Sequence, residues 1–212
     1  ALGYYVDAGE AFKKAQGMPD GPERNKAWRE AAALYKVALE KAPSRDEAPE
    51  AAMNGAYCYK QVGDYDQAIA MYSLFIKEYG NEDNLVKLEK GDATAKPPKP
   101  PNPAKLQERV KYLKQAYDAL SAAYVLFFNY RTAAETYETI SKVRHFGEAD
   151  RRAAARNAVL LYANVGDNDK MLQARTAASE LLALKDLLTL NEDGLDRSQA
   201  SADKLISMQE QL

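Results

Sequence analysis

The chain is 212 residues long, 46% hydrophobic and 28% charged, with 29 basic against 31 acidic residues and a formal net charge of −2. Such a length buries a real core as one large domain or two small ones. The charge balance excludes nucleic acid as the main partner, because phosphate binding leaves a basic excess. No apolar run approaches the ~20 residues of a membrane-spanning helix, and a single cysteine, Cys58, excludes an intramolecular disulfide and a thiolate metal cluster. The apolar share leans on Ala, Leu and 14 Tyr, with few β-branched residues, which favours helix over sheet. The first residue is Ala1 rather than Met, so the chain reads as a mature or trimmed segment.

In chain order, Tyr5 to Phe12 forms a first helical segment, and Met18 to Asn25 has the Pro, Gly and Asn chemistry of a loop. Ala31, Tyr35, Ala38 and Leu39 then repeat at helical spacing up to Pro43. Residues 49–61 open with Pro49 at a first helical position and carry small or apolar residues on one face. Gly63-Asp64 breaks that helix. Asp64 caps the next one, which runs to about Tyr79 and stops at Gly80. Asn81 to Asn84 reads as a solvated turn. Residues 92–104 hold five prolines between 97 and 103, which excludes helix and predicts an extended, exposed connector. A long helix follows over 105–127, then the turn Asn129-Tyr130-Arg131. Asn191 to Gly194 is a stop, and Ser198 to Leu212 restarts a helix that either caps the array or opens a further, truncated repeat.

The organisation is repetitive. Tyr59, Tyr65, Tyr72 and Phe75 are matched by Tyr124, Tyr130, Tyr137 and Ile140, and Ala68 by Ala133, all 65 residues apart. Tyr162 with Val165-Gly166-Asp167 echoes the same turn a third time, and Ala31, Tyr35 and Ala38 supply the second half of a worn first copy. One helix pair cannot bury its own apolar face, so such units must stack. The expected organisation is two helix pairs over 1–91, a proline-rich linker over 92–104, two further pairs over 105–190, and a terminal helix within 191–212.

In the window Pro49 to Glu82 this pattern resembles the tetratricopeptide repeat. Ala56 holds the small eighth position, Tyr59 the aromatic eleventh, Ala68 the small twentieth and Tyr72 the aromatic twenty-fourth. Phe75 and Gly80 depart from the usual small residue and proline. The resemblance implies an all-α fold, a right-handed superhelical stack of antiparallel helix pairs. It also implies a protein-binding scaffold that seats a peptide segment or partner subunit on a concave face. The residues it places on that face are Glu50, Met53, Asn54 and Tyr57 in one repeat and Ala153, Arg156, Asn157 and Leu160 in another. Asn54 and Asn157 share the sixth position, where an amide suits a peptide backbone. The stretch Ala56 to Tyr79 is similar to repeats of bacterial cell-envelope proteins, and Phe128 to Glu138 to those of gliding-motility proteins, which implies a periplasmic or envelope setting, a cytoplasmic one being the alternative. A self-assembling architectural module without a peptide ligand is the competing reading.

The residues offer little for catalysis. Cys58 and His145 are the one nucleophile-and-base pair, they sit in different repeats, and neither has a local signature. One histidine with no His-x-x-x-His or Cys-x-x-Cys spacing predicts no metal site, and no phosphate loop or dinucleotide fingerprint predicts a cofactor. The expectation is a binding protein, not an enzyme.

Overall fold

A computed structural model describes residues 2–178, and every residue described in detail there is helical or in a short connection. The elements are α1 (Leu2–Gly17), α2 (Pro22–Lys41), α3 (Ala48–Gln61), α4 (Tyr65–Glu78), α5 (Glu82–Lys90), α6 (Pro103–Leu126), α7 (Tyr130–Lys142), α8 (Glu148–Asn164) and α9 (Asn168–Ala178). The sole β feature among the described residues is an isolated antiparallel bridge between Asp92 and Lys99. The terminal helix expected over 198–212, and the 191–194 stop before it, lie outside the described residues.

The chain divides into two compact units, Ala1–Ala119 and one beginning at Leu120, so the division falls inside α6 and the proline-rich segment belongs to the first unit. Within unit 1, α1 packs on α2, α2 on α3 and α3 on α4. The core of these contacts is small residues with a few large ones. Ala31, Ala38, Ala52, Ala56 and Phe75 are fully buried, with Trp28 2% exposed, and alanines at these contacts allow close approach of neighbouring helices. Gly55 requires the same closeness, since a Cβ there would stand 2.5 Å from the Met71 methyl and 3.2 Å from Cβ of Tyr35. In unit 2, α7 packs on α8 and α8 on α9, around Ala134, Ala155, Ala158, Val159 and Tyr162. Ala68 and Ala133, matched in the sequence, are both buried at 2% or less.

One turn is built three times. Gly63 (φ 75°), Phe128 (φ 58°) and Gly166 (φ 70°) all take the left-handed conformation that ends a helix. The next amide in each case reaches back to the carbonyl of the repeat tyrosine: Asp64 N to Tyr59 O, Asn129 N to Tyr124 O and Asp167 N to Tyr162 O, at 3.0, 2.8 and 3.0 Å. The same three residues then cap the following helix, accepting from the amides of Gln67, Thr132 and Lys170 at 3.2, 3.4 and 3.0 Å. This is the physical content of the repeat seen in the sequence.

Three expectations are corrected. Only residues 18–21 of the expected Met18–Asn25 loop are non-helical, because Pro22 sits where its missing N–H costs nothing and starts α2. Asn81 to Asn84 is not a free turn: Asn81 caps α5, accepting from the Asn84 amide at 3.0 Å, and Glu82 and Asp83 favour that first turn. The proline-rich segment is not extended throughout. It folds back so that Asp92 and Lys99 exchange backbone hydrogen bonds of 2.8 and 2.9 Å, and Pro103 and Ala104 already belong to α6. Gly91 permits this return through φ 89°, with Lys99 O only 2.8 Å from where a Cβ would stand.

Candidate functional site

Unit 1 carries an open cavity of about 990 Å³. Its walls come from α2, the α2–α3 connection, α4, α5, the proline-rich segment and the start of α6. The connection after α2 is tied down from three sides. Tyr5 of α1 donates to Ala42 O at 2.7 Å, Tyr79 at the end of α4 donates to Pro43 O at 3.0 Å, and Lys105 of α6 pairs with Asp46 at 2.8 Å. The Lys105 ammonium, by hydrogen bond and by charge, holds the Asp46 carboxyl below its usual range. Burial pushes the Tyr79 phenol up to about 12, so it stays a neutral donor.

Arg109 stands one helical turn after Lys105, on the same side of α6. Its Nη1 donates to Tyr79 O at 2.7 Å and its guanidinium lies 6.0 Å from the Tyr79 ring centroid. Burial lowers its pKa, and the nearby Glu108, Tyr79 and Asp46 oppose that shift. On the floor, Leu39 and Met71 are buried and Leu74 is half-buried, giving the cavity an apolar base under a charged rim.

The eight residues expected on a concave face do not line this cavity. Glu50, Tyr57 and Ala153 are exposed, Asn54, Arg156, Asn157 and Leu160 are partly buried, and Met53 is 8% exposed. The Asn54 amide is engaged within the fold, donating to the Tyr35 hydroxyl at 3.4 Å, and Tyr35 is itself pushed up to about 12 by burial. Leu160 packs on the unit 2 core beside Tyr137 and Met171. The Asn157 side chain makes no hydrogen bond to the described residues. Tyr57 is the member with a surface: it is 41% exposed and its ring meets Phe12 and Trp28 at 5.9 and 5.6 Å, so α3 presents an aromatic edge continuous with α1.

Cys58 is fully buried and burial pushes its thiol up to about 12, which keeps it protonated and inert as a nucleophile. It belongs to unit 1 and His145 to unit 2. Among the described residues no group of three or more His, Cys, Asp or Glu is placed to hold a metal ion, and no helix is long and apolar enough to cross a membrane.

Sequence reasoning missed the cavity because its walls are contributed by segments from Lys36 to Arg109, brought together only by α5 and the folded proline segment. The signal available in the chain was the basic series Lys87, Lys99, Lys105 and Arg109, which lies within that segment and on either side of it. Comparison with known protein families and with curated proteins gives no match for the chain.

Proposed function

We propose that the chain is a tetratricopeptide-type solenoid, a right-handed stack of antiparallel helix pairs, and that it works as a protein-binding scaffold. The thrice-repeated turn and the alanine-lined helix contacts support the repeat architecture. The single observation that carries the binding role is the cavity of about 990 Å³ in unit 1, with its apolar floor and its charges spread along separate walls. Charges placed at several points suit a ligand long enough to be read at several points, such as a peptide segment or an element of a partner subunit. The aromatic edge at Tyr57, with Glu50 and Asn54 on the same helix face, is the surface that a concave-face partner would use. The envelope setting implied by the Ala56–Tyr79 resemblance belongs to the proposal, and cell fractionation checks it.

The test starts from affinity capture in the source cells and continues with the purified partner titrated against wild type, Leu74→Arg and Tyr57→Ala. Leu74→Arg fills the cavity floor with a charge and should weaken binding about tenfold or more, with helicity unchanged by circular dichroism. Unchanged affinity in both variants sinks the scaffold reading.

The architectural alternative draws on another observation. Val125, Leu126, Phe127 and Phe128 run consecutively at 39, 54, 53 and 78% exposure, an apolar run of the kind that mediates association. Under that reading, sedimentation velocity gives a concentration-dependent oligomer that Leu126→Asp dissolves. A monomer at all concentrations removes it.

A further inference from the structure

We propose that the unit 1 cavity takes an acidic peptide segment, one of whose carboxylates pairs with Arg109 while its apolar side chains rest on Met71 and Leu74. This deepens the scaffold reading and rests on it.

The argument is one of charge complementarity. Six cationic and four acidic side chains line the cavity of a chain whose own net charge is −2. The excess is concentrated on the wall formed by α5, the proline-rich segment and α6, where Lys87, Lys99, Lys105 and Arg109 gather. The acids on that side are already committed. Asp46 is paired with Lys105. Asp92 turns its Oδ1 into its own loop, accepting from Thr94 N at 2.9 Å, Thr94 Oγ1 at 2.6 Å and Ala95 N at 3.2 Å.

That leaves Arg109 as a partly buried guanidinium held by a backbone carbonyl and a ring face. A partly buried cation pays for the water it loses, which is the direction in which burial shifts its pKa, and an arriving carboxylate would offset that cost. A planar guanidinium with one Nη committed to Tyr79 O still offers N–H groups for a carboxylate oxygen. Lys87 and Lys99 are exposed on the same wall, suited to steering an acidic segment rather than to gripping it. Metal or phosphate chemistry is not needed, because the apolar floor asks for side chains that a bare anion lacks.

The experiment is fluorescence anisotropy on the whole chain with two fluorescein-labelled hexapeptides, one alternating Leu and Glu, the other with Gln in place of Glu. The Leu–Glu peptide should bind about 10- to 100-fold more tightly, and the preference should fall as salt is added. Arg109→Gln should abolish the preference and Arg109→Lys keep part of it. Because Arg109 also holds Tyr79 O, the double variant Lys87→Gln/Lys99→Gln supplies an arm that leaves the fold untouched, with an expected loss of about two- to tenfold. Equal affinity for the two peptides overturns the acidic assignment and leaves the scaffold reading standing. A preference that survives in both the Arg109→Gln and the double lysine variant overturns the placement of the site. Binding of neither peptide overturns the inference together with the cavity as a binding surface.

Discussion

Phe128 occupies the position that glycine fills in the two sister turns, at Gly63 and Gly166. A left-handed conformation costs an L-residue with a Cβ roughly 1–2 kcal/mol, and Phe128 gains little burial in return, being 78% exposed with its ring edge-on to Tyr130 at 6.1 Å. Phe128→Gly should therefore stabilise unit 2 by about 0.5–1 kcal/mol, the relief of strain being offset by the greater freedom of an unfolded glycine. Gly63→Ala and Gly166→Ala should move melting the other way. A Phe128→Gly protein that melts below wild type would mean that the ring is held by contacts worth more than the strain. Ser121 makes the same point from the inside. It is fully buried at the position of Ala56, and its hydroxyl has no hydrogen-bond partner, so an alanine there would spare an unsatisfied group.

At the scale of the element, the turns were legible in sequence because their chemistry is local. A Gly or Phe before Asp or Asn, with a tyrosine five residues earlier, encodes the left-handed residue, the returning amide and the cap together. Helix α5 was not legible for the same reason inverted. Asn and Asp serve turns and helix starts alike, and only one of its nine residues, Leu85, is deeply buried, so no apolar period announces it. The candidate site was legible least, since its walls lie far apart in the chain, and the bond from the Asn54 amide to Tyr35 is set by helix packing rather than by spacing. The proline segment, read as a spacer, instead has specific anchors. Asn102 donates its backbone N–H to Leu88 O at 2.8 Å, and its side-chain oxygen caps α6 by accepting from Lys105 N at 3.0 Å. Asn102→Ala should cost about 1 kcal/mol. Gly91→Ala should cost more, since it meets both the positive φ and the carbonyl of Lys99. Thermal melts of the two variants check this, and two melting curves identical to wild type would restore the spacer reading.

For the molecule as a whole, the 14 tyrosines make alkaline pH the sharper probe of how the repeats hold together. Burial raises the pKa of Tyr5, Tyr72 and Tyr117 and takes Tyr35 and Tyr79 to about 12. Tyr162 is raised by burial and by its 3.0 Å hydrogen bond to Glu138, which an ionised phenol would turn into a repulsion. In each case the folded value lies above the unfolded value of about 10. The linkage sign follows: the unfolded chain releases these protons first, so their contribution is fully present below about pH 10 and is lost as pH rises through the folded values. Cys58, taken to about 12 by burial, acts in the same direction and starts from a lower unfolded value. The expected outcome is a cooperative loss of helicity between about pH 10 and 12, with tyrosinate absorbance rising in the same step rather than ahead of it. Tyr162→Phe removes one titrating phenol and its bond to Glu138 together, so the unit 2 transition should move to higher pH even if the variant is slightly less stable at neutral pH. Tyrosinate forming smoothly near pH 10 with circular dichroism unchanged would mean that the phenols reach water in the folded state, and that the repeat cores are far looser than their packing implies.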